Sequence, residues 1–222
     1  MTVDQIYKSV QAQAAKSRTG YSSAAEFNLQ LKLAEELLYD FHTSNLPRQP
    51  SIDALRAFNK FEDVAIDSGL GNLPSDYRRY IGAIFKKFYA GACATDNVTE
   101  RYRTHLIQPH ELPFARLSPI RGGKTRARYS VCLVDGGIEV LPNEKGTLEL
   151  TYYRKPTYAV YGVTVTASGE VYDSASSTQP EWPDEELNNL VDLLLFYKGV
   201  QFRETPLIQY AFAKPNLKRV LE

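Results

Sequence analysis

The residue types that could support chemistry first attract notice at Gly122-Gly123-Lys124-Thr125, which looks like the end of a phosphate-binding loop. The first glycine of that motif would have to stand at position 118, where the chain has Ser118. The residues from 127 to 134 that follow are typical of a strand, whereas a phosphate loop leads into a helix N-terminus. The sequence therefore predicts a basic loop here and no nucleotide site.

Histidine and glutamate at His105, His110 and Glu111 raise the possibility of a metal site. The segment lacks the second histidine of H-E-x-x-H, and prolines at positions 109 and 113 disfavour the continuous helix that such ligands need. Nucleophile-elbow and dinucleotide glycine patterns are also missing from the sequence. We therefore expect no catalytic centre, no metal and no cofactor, and a protein that is not an enzyme.

Positive charge is concentrated in one stretch of a chain whose 26 basic and 26 acidic residues otherwise cancel. A neutral chain meets nucleic acid or a charged partner only through a local patch. The stretch suits the phosphates of packaged DNA, an acidic surface of a neighbouring subunit, or simply a solvated loop. The candidate interface or DNA-facing residues are Arg116, Arg121, Lys124, Arg126 and Arg128, together with Arg154 and Lys155 at the end of a predicted strand.

Residues 1–44 are predicted to form a helical hairpin. Apolar residues recur at helical spacing from Val3 to Val10, and Gly20 interrupts the pattern. Ser23 and Glu26 have the spacing of a capping box in front of a second helix at 27–41. Two helices joined by a short glycine-containing turn form an antiparallel pair.

Residues 51–180 are predicted to be mostly β. The clearest signal is a hairpin of 129–134 with 138–141 around Asp135-Gly136, and a third strand from Leu148 would complete a meander. The segment 80–89 fits a helix or a strand, with strand favoured, and 111–117 fits a short helix or a turn. The polar stretch 173–179 reads either as a linker or as an ordered arm reaching a neighbouring subunit.

Residues 181–222 are predicted to form C-terminal helices that pack on the β domain. Pro183 and three acidic residues suit the first turn of a helix, where no amide hydrogen is needed and the dipole favours negative charge. Trp182, the single tryptophan of the chain, is the expected structural anchor of that helix against the sheet. The predicted fold class is therefore α+β, with an N-terminal helical hairpin, a central and mostly antiparallel sheet, and C-terminal helices.

Three strings in the last third of the chain resemble a family of virion structural proteins of crAss-like tailed phages. They are Leu-Thr-Tyr-Tyr-Arg-Lys-Pro-Thr at 150–157, Val-Tyr-Asp-Ser-Ala-Ser-Ser-Thr-Gln-Pro-Glu-Trp-Pro-Asp-Glu-Glu at 171–186, and Leu-Ile-Gln-Tyr at 207–210. Weaker similarity lies in Glu26-Phe27-Asn28 and in 73–77. Residues 85–128 depart from the family pattern, so the ring position of this copy stays open.

The resemblance implies a ring or adaptor protein of the head-to-tail connector. The implied partners are further copies in a homo-oligomeric ring, twelve-fold by resemblance, the portal protein, other connector or tail ring proteins, and packaged DNA. No segment of the sequence predicts a membrane span, so the expected location is the virion after synthesis in the host cytoplasm. The alternative function is a nucleic-acid-binding accessory protein that uses the basic loop around 116–128.

Overall fold

The computed structural model describes residues 1–16, 23–90, 97–117, 129–167 and 169–202. They belong to two compact units: a helical unit of Met1–Ala57 with the chain from Pro156 onward, and a β unit of Phe58–Lys155. The protein is α+β, as predicted. The helices are α1 (Val3–Lys16), α2 (Ala24–Ser44), α3 (Gln49–Ala54), α4 (Leu112–Leu117) and α5 (Asp184–Phe202). The strands are β1 (Asn59–Ile66), β2 (Leu70–Asn72), β3 (Tyr77–Ala90), β4 (Asn97–Ile107), β5 (Tyr129–Val134), β6 (Gly137–Leu141), β7 (Gly146–Arg154), β8 (Val163–Thr166) and β9 (Gly169–Tyr172).

The helical unit is built on α5, against which both α1 and α2 pack. The predicted capping box at the start of α2 is confirmed, because Ser23 and Glu26 satisfy each other's backbone amides. Aromatic rings join α1 to α2, with Tyr7 edge-on to Phe27 at a centroid distance of 4.9 Å. Such ring pairs add to the burial of apolar area in holding two helices together.

An extended segment, residues 156–167 and 169–179, lies along α2, and we call it the strap. Asn28 accepts from the Tyr161 amide at 2.8 Å and donates to the Tyr161 carbonyl at 3.0 Å, as a neighbouring strand would. Glu35 accepts from the Ala159 amide at 2.9 Å. Backbone groups of Ala159 and Tyr161 are thus satisfied by side chains of a helix, which allows this irregular part of the strap to be buried.

The β unit holds a seven-stranded sheet in the order β1-β7-β3-β4-β5-β6-β2, antiparallel except for the β4–β5 pair. The chain runs from β1 to β2 through a tight turn with a bridge between Asp67 and Leu70, so the sheet nearly closes into a barrel. Its interior is filled by side chains at alternate strand positions. These are Val64, Ile66, Phe85, Tyr129, Val131, Ile138, Val140, Leu148, Leu150 and Tyr152.

The order of strands corrects the predicted meander. The hairpin β5–β6 forms around Asp135-Gly136 as expected, but β7 pairs with β1 and β3 instead of β6. Period-two patterns identify strands without specifying their partners, and β7 lies between β1 and β3 with a partner on each side.

The unit boundaries also differ from the predicted ones. The β unit ends at Lys155, so the strap belongs with the helices, and α5 packs on α1 and α2 of the helical unit. Trp182 is 4% exposed, and its ring lies 6.0 Å from that of His42 on α2. Local signals fixed the start of the helix but carried no information on which surface would receive it.

Candidate assembly surface

The long strands β3 and β4 turn two chemically different faces in opposite directions. On β3, Phe85 is fully buried, whereas Ile84 and Phe88 on the other side are 36% and 57% exposed. The register places Arg103 opposite Ile84, so outward residues of β4 join the exposed side. We call this surface the outer β3–β4 face. It consists of Ile84, Lys86, Phe88, Arg101, Arg103 and His105.

The charge of this face is only partly neutralised within the β unit. Lys86 lies 3.1 Å from Asp63 and 3.0 Å from Glu149, so its charge is used within the sheet. Arg101 and Arg103 are exposed and form no ion pair with any other described residue. The face therefore offers two available guanidinium groups beside an exposed aromatic ring. Arginine and aromatic side chains are the types enriched at protein interfaces.

The hairpin of β3 and β4 also extends beyond its neighbours. β3 pairs with β7 only as far as Lys86 but continues with β4 to Ala90. β4 pairs with β5 only from Thr104 onward, so among the described strands its residues 97–103 have a partner on one side alone. Within the described residues, a strand edge without a partner beside an exposed apolar face favours the binding of another chain.

Arg116, predicted to face DNA or a partner, is held within the β unit. Its Nε and Nη2 atoms donate to both carboxylate oxygens of Glu139 at 2.8–3.0 Å. The side chain of Glu139 is only 5% exposed, so this two-pronged pair neutralises a buried acid. The sequence alone did not show that Arg116 is paired, because its acceptor lies 23 residues away on β6.

The remaining predicted site residues divide into two groups. Arg154 stacks over the Phe58 ring at 5.6 Å and donates to the carbonyl of Lys155. Lys155 itself is exposed. A stacked guanidinium is partly used in packing, so Lys155 is the more available charge of the two. Arg121, Lys124, Arg126 and Arg128 lie outside the described residues.

A serine, a histidine and a glutamate meet inside the helical unit in an order that resembles a nucleophile, a base and an acid. His42 lies 3.4 Å from Ser51 Oγ through Nδ1 and 3.2 Å from Glu186 through Nε2. Burial alone would raise the pKa of Glu186, but hydrogen bonds from His42 and Asn189 hold it below its ordinary value. Ser51 and His42 are each 4% exposed, which leaves no room for a substrate carbonyl at the serine. We assign these contacts to the packing of α2, α3 and α5.

A second polar cluster lies in the β unit around Tyr152. Its hydroxyl is 2.7 Å from Asp76 and 2.9 Å from Glu62, and the Lys60 ammonium donates to both acids. The hydrogen bond from Tyr152 and the contact with Lys60 hold the pKa of Asp76 below its ordinary value. Burial and the two carboxylates raise the pKa of Tyr152, so the phenol stays protonated as a donor. The cluster ties β1 and β7 to the start of β3.

Within the described residues, His, Cys, Asp and Glu form no group of three placed to hold a metal ion. Each helix there falls short of the length or apolar character required to cross a lipid bilayer.

Comparison with known proteins adds no assignment. The chain matches no model of a known protein family and no curated protein.

Sequence reasoning missed the outer β3–β4 face, although a signal for it exists. Arg101, Arg103 and His105 occupy every second position of a segment in which Tyr102 and Thr104 alternate with them. That period of two predicts a strand with one basic face. The basic run that follows is denser in sequence, but charges that are close in sequence need not share a face.

Proposed function

We propose that this protein is a virion structural protein, one subunit of a ring in the head-to-tail connector of a crAss-like tailed phage. The observation that carries the proposal is the outer β3–β4 face, which combines exposed aromatic, aliphatic and arginine side chains on a strand pair that continues past the end of the β3–β7 pairing. A ring subunit must present such a surface to a neighbour, because each copy is covered by the next.

The segments that resemble the phage family support the same proposal through the roles they have in this fold. Tyr152 fastens three strands, Asp173 accepts from Ala175 and Ser176 to shape the strap, and Trp182 is buried at the start of α5. All of these roles are in packing and hydrogen bonding. Residues that build a scaffold suit a structural protein better than a catalyst.

The test is assembly with the portal protein of a crAss-like phage. The two proteins are mixed and their complex is weighed by native mass spectrometry. We expect a ring bound to the portal, with a copy number matching the portal's symmetry, twelve by the family resemblance. A chain that does not associate with the portal, or that is present in purified particles at an unrelated copy number, would contradict the proposal.

A second candidate function is nucleic-acid binding, and one observation favours it. Arg101 and Arg103 project from one strand beside Phe88, and basic groups next to an aromatic ring suit single-stranded nucleic acid. Phosphate binding releases counterions, so the affinity should fall steeply as salt rises. Titration of labelled single-stranded DNA at about 50 and 200 mM salt distinguishes this candidate from a salt-tolerant protein ring.

A further inference from the structure

The outer β3–β4 face has a surface of opposite charge on the same chain. In the helical unit a cleft of about 430 Å³ lies between α3 and the start of α5. Asp53, Glu185 and Glu186 line it, and none of its lining residues is a lysine or an arginine. Pro50, Ala54 and Pro183 form its apolar walls.

The acids of the cleft differ in how far they are already paired. Glu186 is bound by His42, and Asp53 accepts one hydrogen bond from Gln49 at 3.1 Å. Glu185 is exposed, with no partner in the described part of the chain, and the nearby Asp184 binds the terminal amino group of Met1 at 2.7 Å. Asp53 and Glu185 therefore retain the capacity to accept from a partner's guanidinium groups.

We propose that the outer β3–β4 face of one copy docks onto the acidic cleft of the next copy. Side chains two positions apart on a strand lie about 7 Å from each other, so Arg101 and Arg103 can engage acids on α3 and on α5 together. Phe88 and Ile84 supply apolar area to set against the proline and alanine walls. Two different surfaces of one chain meet in this contact, which is the head-to-tail arrangement that closes into rings.

This inference rests on the proposed function and makes its interface specific. Arginine pairs well with carboxylates because its planar fork donates two parallel hydrogen bonds. Complementary charge at an interface chiefly sets which surfaces recognise each other. If charge is reversed on one surface, the contact between copies should weaken. Reversal of charge on the other surface as well should restore it.

The experiment uses the full chain in three variants. One carries Arg101→Glu with Arg103→Glu, one carries Asp53→Lys with Glu185→Lys, and one carries all four changes. Assembly is measured by sedimentation velocity over a range of concentrations, alone and with the portal. We expect each two-site variant to require at least a ten-fold higher concentration to assemble. The four-site variant should assemble at a concentration close to that of the wild type.

The matched control changes two exposed lysines elsewhere, Lys8→Glu with Lys145→Glu, and should assemble like the wild type. Thermal melts of every variant show whether the fold is kept. Assembly of the wild type that neither reversal affects, or that both reversals weaken without recovery in the four-site variant, would overturn the proposed pairing and leave the ring function standing. Failure of the wild type to assemble even on the portal would instead contradict the ring function. Loss of DNA binding without any change in assembly would assign the arginines to nucleic acid and overturn the pairing.

Discussion

The strap and the outer β3–β4 face are both rich in polar and aromatic residues, but groups of the strap are bound within the fold whereas side chains of the face are exposed to solvent. The strap turns backbone amides inward, onto Asn28 and Glu35 of α2. The outer face turns side chains outward, and Phe88 is 57% exposed. Polar groups contribute to stability where they are buried and satisfied, whereas exposed groups contribute little. We therefore expect changes in the strap to alter stability and changes on the face to alter association.

Glu35→Gln should have the largest effect. Burial raises the pKa of Glu35 to about 7, against an ordinary value of 4.5. Between these two values the folded protein holds a proton that the unfolded chain has released, so the free energy of unfolding falls as pH rises. The loss is about 3 kcal/mol from pH 4.5 to pH 7. Glutamine keeps an oxygen for the Ala159 amide and carries no charge, so the variant should lack this loss and exceed the wild type in stability at pH 8.

Urea denaturation at several pH values, followed by the fluorescence of Trp182, measures this effect. Trp182 is the single tryptophan of the chain and belongs to the same unit as Glu35. Glu36→Gln, one position along α2 and less buried, is the matched control for the removal of a carboxylate from this helix. A Glu35→Gln variant with the wild-type slope would show that Glu35 is ionised throughout.

Gly162→Ala should have the next largest effect, because this glycine lies directly against the backbone of Ser176 in the returning part of the strap. An added Cβ would lie 2.7 Å from the carbonyl carbon of Ser176, which is backbone and cannot rotate away. Overpacking of this kind costs about 1–3 kcal/mol. Gly82→Ala is the matched control, since nothing lies within 4 Å of its added Cβ. Equal melting temperatures for the two variants would mean that the strap can shift away from Ser176 without loss of stability.

Much of the helical unit could be predicted from local signals. The capping box at Ser23 and the proline before α5 act over a few residues, and both helices form where expected. The strap could not be predicted, because its partners Asn28 and Glu35 lie more than 120 residues away. Small polar residues at 173–179 suit a linker equally well, and here Asp173 and Thr178 fix them within their own unit.

The β unit shows the same limit in its strand order and its candidate site. The alternation that identifies β7 does not show that it inserts between β1 and β3. Arg116 seemed available because Glu139 lies on a distant strand, and Arg101 was overlooked because its face exists only once β3 and β4 pair. Charge in a sequence is local, whereas its neutralisation depends on the fold.

Tyr152→Phe removes the hydrogen bond from the Tyr152 hydroxyl to the carboxylate of Asp76. We expect the free energy of unfolding to fall by about 1–2 kcal/mol at pH 7, a smaller effect than the two above. The hydrogen bond from Tyr152 is the main cause that lowers the pKa of Asp76. A lowered pKa stabilises the fold above the ordinary value of 3.8, and the stability is lost as pH falls through the folded value. The variant should therefore lose less stability than the wild type between pH 5 and pH 3, which denaturation monitored by circular dichroism measures. An acid profile identical to the wild type would show that Lys60 alone sets the state of Asp76.

The smallest effect on stability is expected for Phe88→Thr, which makes the sharpest test of the comparison. Phe88 and Phe85 lie on one strand three residues apart, one 57% exposed and the other fully buried against Tyr129 at a ring distance of 4.5 Å. Threonine retains a preference for strands, so the change at Phe88 should alter the free energy of unfolding by less than about 0.5 kcal/mol. Phe85→Ala, the control, should cost about 3–5 kcal/mol because it leaves a cavity inside the sheet. In sedimentation measurements, by contrast, Phe88→Thr should weaken assembly although its fold is intact. If Phe88→Thr proves as destabilising as Phe85→Ala, the outer β3–β4 face is covered within the chain itself and is not the surface through which copies meet.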